Sequence, residues 1–267
     1  MYNERFIAFI DILGFGSLVD ESAKNHQMPG KILAALSSIQ PEIIHKEAYL
    51  RVNKELIPPA QLLEVMNFSE IMTNSMRQKM KVVVTYFSDS LVISAPSDDL
   101  ISSQMILDML AKLSIKLWTE HALLIRGGIT LGNLIHIENG PLFGPAMNRA
   151  YYLESKIAKN PRILIDASCI ERYRKVSTFE LFESYIERDG DFYYASLATA
   201  YRHIINDSSL ALAGEGVLIP FRSTFDSSHK AIRELIETTE DKNIKSKFIW
   251  LSEELAKRAP EIRPPAR

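Results

Sequence analysis

The chain has 267 residues, 46% of them hydrophobic, and a formal net charge of −2. This length and composition can bury a sizeable core, as one large domain or one domain with an appendage. The near-neutral charge gives no basic footprint for nucleic acid.

The single cysteine, Cys169, excludes an intrachain disulfide and fits a reducing compartment. No run approaches the roughly 18–20 apolar residues of a membrane span. The first residues are too charged, and their apolar run too short, for a secretory signal. We therefore expect a soluble, cytoplasmic protein that binds no membrane.

The first predicted element is a strand at residues 5–13, "RFIAFIDIL", a continuous apolar run typical of a strand buried on both faces. Gly14 and Gly16 end it. Apolar residues then recur at helical spacing in "KILAALSSIQPEIIHKEAYL" and "AQLLEVMNFSEIMTNSMRQKM". This pattern predicts a helical insertion at about residues 20–80.

Residues 81–87 and 91–95 are predicted to form a hairpin around the turn "SDS". Asp89 interrupts an apolar, β-forming stretch there, so it is either a turn residue or a placed ligand. A helix is predicted next, over "DDLISSQMILDMLAKLSIKLWTEH", with Ser97, Asp98 or Asp99 available as its N-cap.

Two strands, "ALLIRGGITLG" and "NLIHIE", are predicted before the helix "AMNRAYYLESKIAK" and the strand "RILID". Further short strands are predicted at "FELFESY" and "DFYYASL". Hairpin strands between helices favour an α+β fold, an antiparallel or mixed sheet covered by helices. We expect one domain over residues 1–198 and a mainly helical C-terminal extension over residues 199–267.

The carboxylates of Asp11 and Asp89 converge if the first strand and the hairpin are neighbours. Hard divalent cations prefer oxygen ligands, and a Mg²⁺ or Mn²⁺ site that serves a nucleotide needs only one or two carboxylates plus phosphates. A single aspartate at a strand end is nevertheless more often a turn former or a cap. The two residues alone leave both interpretations open.

Four motifs narrow the choice: "FIDILGFG", "FSDSLVI", "RGGITLG" and "FGPAMNRAYYLES". Their content and order, over roughly residues 5–170, resemble those of class III nucleotide cyclases. The resemblance implies a ferredoxin-like core that forms a homodimer with active sites at the interface, each holding two Mn²⁺ or Mg²⁺ ions. It also implies that Asp11, Asp89 and the Ile12 carbonyl ligate the metals, and that Asn148 orients the ribose from the partner subunit.

The sequence departs from the family pattern at several positions. Tyr152 stands where the family has its transition-state arginine, and Arg126 and Arg149 are candidates to replace that arginine. Thr85, with Tyr86 beside it, stands where purine cyclases carry a base-reading lysine, and Pro145 replaces the partner base reader. This combination resembles the pyrimidine cyclases of bacterial Pycsar antiphage systems.

That closer resemblance implies conversion of UTP or CTP to the 3′,5′-cyclic monophosphate, which activates a separate effector and aborts infection. Thr85 and Tyr86 would contact the base. Backbone N–H groups of the glycine turn could bind the triphosphate, because glycines permit close approach. Lys159 would add a side-chain charge. The predicted backbone contacts to the phosphates are those of Leu13, Gly14, Phe15 and Gly16.

Two alternatives stay open. The first is an adenylate or guanylate cyclase that reads a purine with other residues. The second is a catalytically dead domain that binds nucleotide as a sensor, since the family arginine is missing.

Overall fold

The computed structural model describes residues 1–40, 81–174, 183–206 and 215–262, together with residues 60, 63, 64 and 67. The helix predicted over "AQLLEVMNFSEIMTNSMRQKM" lies almost entirely outside this part of the chain, as do the last residues of "KILAALSSIQPEIIHKEAYL". The described part forms one sheet with helices on both of its faces.

Eight strands form the sheet, in the order β2-β3-β1-β4-β6-β8-β7, with β5 paired to β4. The β4–β6 pair is parallel and the other pairs are antiparallel. This mixed sheet confirms the predicted α+β class. The strands are β1 (Asn3–Ile12), β2 (Val83–Phe87), β3 (Ser90–Pro96), β4 (Ile125–His136), β5 (Leu142–Phe143), β6 (Arg162–Asp166), β7 (Glu187–Asp189) and β8 (Phe192–Ser196).

The described helices lie between pairs of strands and at the C-terminal end. They are α1 (Phe15–Ser22), α2 (Met28–Ser38), α3 (Leu100–His121), α4 (Pro145–Tyr152), α5 (Ala167–Tyr173), α6 (Leu197–Asn206), α7 (Glu215–Thr238) and α8 (Lys242–Ile262). A π-helical turn, Leu153–Ile157, continues α4. Of the three predicted caps for α3, Asp99 is the one used: its side chain accepts a hydrogen bond from the Ser102 N–H.

One prediction about the strands was wrong. The segments "ALLIRGGITLG" and "NLIHIE" are one strand, β4, because its pairing with β1 runs without a break from Ile125 to Leu134. Of the predicted strand "FELFESY", residues 179–182 lie outside the described part of the chain, residues 183–185 are not a strand, and β7 begins at Glu187.

Strand β1 is buried on both faces, as its continuous apolar run predicted. Phe6, Ala8 and Ile10 pack in the main core with residues of α3. Ile7 and Phe9 point to the opposite face, which we call the α4 face, and pack with Ala146 and Ala150 of α4. Successive side chains of a strand point to opposite faces of the sheet, so the residues of β1 are divided between the two faces.

Helix α4 lies directly on strand β4 because Gly128 has no side chain. A Cβ atom at Gly128 would overlap the Ala150 carbonyl oxygen and the Leu153 side chain. The "GG" of the "RGGITLG" motif therefore allows close packing, and this packing brings the end of α4 over the end of β1.

The C-terminal helices pack on the rest of the protein through a second apolar cluster. Tyr201, Phe225 and Leu251 share this cluster with Trp118 of α3. The fully buried Arg258 of α8 also forms ion pairs with Glu254 and with Glu187 of β7. None of the helices in the described part of the chain combines the length and apolar composition that a membrane span requires.

Candidate active site

Asp11 and Asp89 meet at one rim of the sheet. Asp11 lies at the end of β1, opposite Ser90 at the start of β3. The Ile12 N–H donates to the Asp89 carbonyl oxygen at 3.2 Å, which fixes the β2–β3 turn against the end of β1. Asp89 is thus both a turn residue and a neighbour of Asp11.

The two carboxyl groups are close enough to interact strongly. The pKa of Asp11 is raised from 3.8 to about 7, first by burial, then by repulsion from Asp89 and Glu154. Arg126 acts in the opposite direction, and a hydrogen bond between the Asp11 and Asp89 side chains raises the pKa further. Arg126 therefore compensates only part of the unfavourable effect of burying these carboxyl groups together.

A divalent cation fits this pair of side chains, because it would add positive charge to that of Arg126 and prefers carboxylate oxygens. Among the residues that the structure describes, no group of three or more His, Cys, Asp or Glu side chains is arranged to hold a metal. The donor set is therefore a carboxylate pair that needs further oxygen ligands, such as those of a bound phosphate group.

Arg126 is the cation beside this pair. Its guanidinium lies 3.9 Å from Asp11 Oδ2, and its Nε donates to Glu154 Oε1 at 2.7 Å. The π-helical turn carries Glu154, whose side chain is 4% exposed. Arg126 is therefore held in place by a buried carboxylate and faces the Asp11–Asp89 rim.

The glycine turn after β1 leads into the N-terminus of α1. Gly14 has φ 77°, in the left-handed region that glycine adopts without strain. The Leu13 N–H already donates to the Leu124 carbonyl oxygen at 2.8 Å. The N–H groups of the first helical turn have no partner within the helix, so Phe15, Gly16 and Ser17 offer the donors of this turn.

Asn148 and Arg149 do not join the site within one chain. Asn148 lies exposed on α4, and Ala146 and Ala150 occupy the side that packs on the sheet. Arg149 forms a bidentate pair with Asp166, at 2.9 and 2.5 Å. The hydrogen bond to Asp166 also raises the pKa of Arg149. Of the two candidate arginines, only Arg126 is near Asp11.

Thr85 and Tyr86 point to opposite faces of the sheet. Thr85 pairs with Val92, which packs on the α4 face, and Tyr86 pairs with Leu91 of the main core. Thr85 therefore shares a face with Asp11, and Tyr86 does not.

Lys159 is exposed in the loop between the π-helical turn and β6. The parallel register places Ile163 of β6 beside Gly127 of β4. Lys159 therefore lies toward the end of the sheet that carries Arg126 and Asp11.

Two residues of the site were not identified from the sequence. Glu154 lies 28 residues after its partner Arg126. His136 lies 51 residues after its hydrogen-bond partner Thr85. No local pattern marks either pairing. The signal available for Glu154 was its place in the "YYLES" motif.

No protein-family model matches the sequence, and no curated protein does. Solved structures do match. The adenylyl cyclase CyaB from P. aeruginosa has 14% identity and a TM-score of 0.44, covering 73% of this chain and 94% of its own. A bacterial light-regulated adenylyl cyclase has 14% identity and a TM-score of 0.40, covering 76% and 97%.

The guanylyl cyclase domain of the RhoGC fusion protein from the aquatic fungus Blastocladiella emersonii also matches. It has 15% identity and a TM-score of 0.39, and the alignment covers 73% of this chain and 95% of that domain. All three likenesses are distant.

Proposed function

We propose that this protein is a divalent-metal-dependent nucleotide cyclase that converts UTP or CTP to the 3′,5′-cyclic monophosphate and pyrophosphate. One observation carries the proposal. Asp11 and Asp89 come together, partly buried and mutually repelling, beside the open N-terminus of α1. A carboxylate pair next to free backbone N–H groups suits a metal-bound triphosphate.

Asp11, Asp89 and the Ile12 carbonyl would hold two Mn²⁺ or Mg²⁺ ions. Bound divalent ions supply charge neutralisation to the triphosphate and lower the pKa of an attacking hydroxyl. The N–H groups of Phe15 and Gly16, with Lys159, would bind phosphate oxygens.

In the reaction, the ribose O3′ forms a bond to the α-phosphorus while the bond between that phosphorus and the bridging oxygen breaks. Pyrophosphate leaves with that oxygen, and the proton of the 3′-hydroxyl passes to water. Charge builds on the phosphoryl oxygens, so catalysis depends on positioning and electrostatic stabilisation. Arg126 supplies a fixed positive charge at the rim, held by Glu154.

A homodimer would complete the site. Asn148 lies exposed on α4, as a residue acting on a partner's substrate must be. Tyr151 and Tyr152, three and four residues further along α4, are exposed aromatic side chains, and Phe87 at the end of β2 is exposed as well. Exposed aromatic side chains are enriched in protein–protein contacts.

The pyrimidine preference is proposed from Thr85, which occupies the α4 face where purine cyclases carry a base-reading lysine. A short hydroxyl cannot replace the reach of that lysine. The Pycsar-like role is part of the same proposal. The cyclic nucleotide would be made in the cytoplasm and would activate a separate antiphage effector.

An inactive nucleotide-binding sensor is the second candidate, and one observation favours it. Arg149 is held by Asp166, and Tyr152 stands at the position of the family arginine. A purine cyclase is the remaining alternative.

Incubation of the purified protein with each of the four labelled nucleoside triphosphates and Mn²⁺ tests these candidates. We expect a cyclic monophosphate and pyrophosphate from UTP or CTP, and less than about a tenth of that rate from ATP and GTP. A product from ATP alone would contradict the pyrimidine assignment. Nucleotide binding without pyrophosphate release, with Mn²⁺ or with Mg²⁺, would favour the sensor.

Mixed dimers test whether two chains share one active site. Asp11→Asn and Asn148→Ala chains with different affinity tags are co-expressed, and the doubly tagged dimer is purified. In a symmetric dimer one of its two sites is intact, so we expect about half of the wild-type turnover. If each site lies within one chain, the mixed dimer will show only the mean of the two variant homodimers.

A further inference from the structure

A buried chain of hydrogen bonds crosses the α4 face and ends at Thr85. Arg5 Nε donates to Ser94 Oγ at 2.8 Å, Ser94 Oγ lies 2.8 Å from His136 Nδ1, and His136 Nε2 lies 2.9 Å from Thr85 Oγ1. His136, at the end of β4, thus bonds to Ser94 of β3 and to Thr85 of β2. We call these four residues the Thr85 relay.

The direction of donation begins at Arg5, because a guanidinium has donors and no acceptor. Ser94 Oγ therefore accepts from Arg5 and keeps one proton of its own. Ser94 is completely buried. In the described part of the chain, the acceptor within hydrogen-bond distance of Ser94 Oγ is His136 Nδ1. A buried hydroxyl proton left without an acceptor is costly, so Nδ1 is unprotonated.

His136 is neutral at physiological pH. Burial, and then repulsion from Arg5, lower its pKa from 6.5 to about 4. A neutral imidazole carries one proton, and with Nδ1 accepting from Ser94 that proton is on Nε2. His136 Nε2 therefore donates to Thr85 Oγ1.

Thr85 is left with a proton to donate. Its oxygen accepts from His136, and its side chain is only partly buried, on the face that carries Asp11. Two strand spacings and two residues separate Thr85 from Asp11, roughly 12 Å. A nucleotide whose α-phosphate lies near Asp11 can place its base at that distance.

We propose that the Thr85 relay fixes Thr85 as a hydrogen-bond donor to position 4 of the base and so selects uracil, which has a carbonyl oxygen there, over cytosine, which has an amino group there. This inference rests on the proposed function. An amino group could still donate to the second lone pair of Thr85 Oγ1, but the Thr85 proton would then have no acceptor on the base. We expect roughly tenfold discrimination in kcat/KM from this mismatch.

The tautomer of His136 tests the relay without nucleotide or metal. Long-range ¹H–¹⁵N correlation spectra of the full chain at pH 7 distinguish the two neutral tautomers, and a His136→Gln protein assigns the signal. We expect the Nε2–H form. The Nδ1–H form would reverse the polarity of the relay and overturn the proposal, whatever the protein catalyses.

Base selection is tested with Thr85→Val, which keeps the shape of the side chain and removes its hydroxyl. We expect the UTP/CTP ratio of kcat/KM to fall from about ten to within about twofold of one. Thr85→Ser is the matched control and should keep the ratio. His136→Leu should lower the ratio as Thr85→Val does. Thr85 then no longer accepts from the Nε2–H group of His136, and its hydroxyl is no longer held as a donor. An unchanged ratio in Thr85→Val would overturn the proposal.

Failure of the proposed function has a different result. If no triphosphate is turned over, the proposed cyclase activity is wrong, and the same ratio is then measured from the dissociation constants of UTP and CTP by calorimetry. Preference for UTP that disappears in Thr85→Val would still support selection by the relay. Equal binding of UTP and CTP to the wild-type protein would overturn it.

Discussion

Replacing Asp89 with asparagine should lower cyclase turnover by about a thousandfold while making the nucleotide-free, metal-free protein more stable. The loss of turnover corresponds to about 4 kcal/mol of transition-state stabilisation, a reasonable value for removal of a metal ligand. The gain in stability follows because Asp89 repels the Asp11 carboxylate. We expect about 1 kcal/mol, since the site is partly exposed and water screens the repulsion.

Turnover is measured with Mn²⁺ and the free energy of unfolding by urea titration in EDTA. Asp98→Asn is the matched control, because Asp98 is an exposed aspartate beyond the other end of β3 and should change neither quantity. Mn²⁺ should also stabilise the wild-type protein more than the Asp89→Asn protein. Turnover retained in Asp89→Asn would show that Asp89 is only a turn residue.

Replacing Arg126 with methionine should destabilise the fold by about 3 kcal/mol. The change leaves the Glu154 side chain, which is only 4% exposed, without its cation. Breaking a buried ion pair by removing one partner costs about 3–5 kcal/mol, because an uncompensated charge stays buried. We take the lower value because Arg126 is partly exposed. Loss of Arg126 also removes the favourable charge beside Asp11.

The double variant Arg126→Met/Glu154→Met should recover most of that stability, to within about 1 kcal/mol of the wild type, because no isolated charge remains. Arg172→Met is the matched control. Arg172 pairs with Glu4 at 2.9 Å, and both side chains are 47% exposed. Exposed pairs contribute about 0–1 kcal/mol. A double variant no more stable than Arg126→Met alone would refute the buried-pair explanation.

Local patterns were sufficient for most of the sheet. The apolar run of β1 predicted a strand buried on both faces, and the "SDS" turn predicted the β2–β3 hairpin. The pattern failed where pairing overrode it. The sequence from Gly132 to Asn133 suggested a break, but the ladder with β1 holds β4 as one strand. A ladder of cross-strand hydrogen bonds outweighs a local preference for a turn.

The candidate site divides in the same way. Positions at strand ends identified Asp11 and Asp89. The alternation of side chains along a strand also implies that Thr85 and Tyr86 lie on opposite faces of the sheet. The partners of the arginines could not be predicted, because several carboxylates were equally plausible for each. Only the packing of α4 on Gly128 brings Glu154 to Arg126 and Asp166 to Arg149.

The sequence by itself determined that two acidic residues end or join strands, because chain reversals and alternating burial are properties of short segments. Only the tertiary structure decided which charges and hydroxyl groups meet: Glu154 with Arg126, and His136 with Thr85. These contacts join residues 28 and 51 positions apart. Their geometry depends on strand order and on the π-helical turn, which no local pattern specifies.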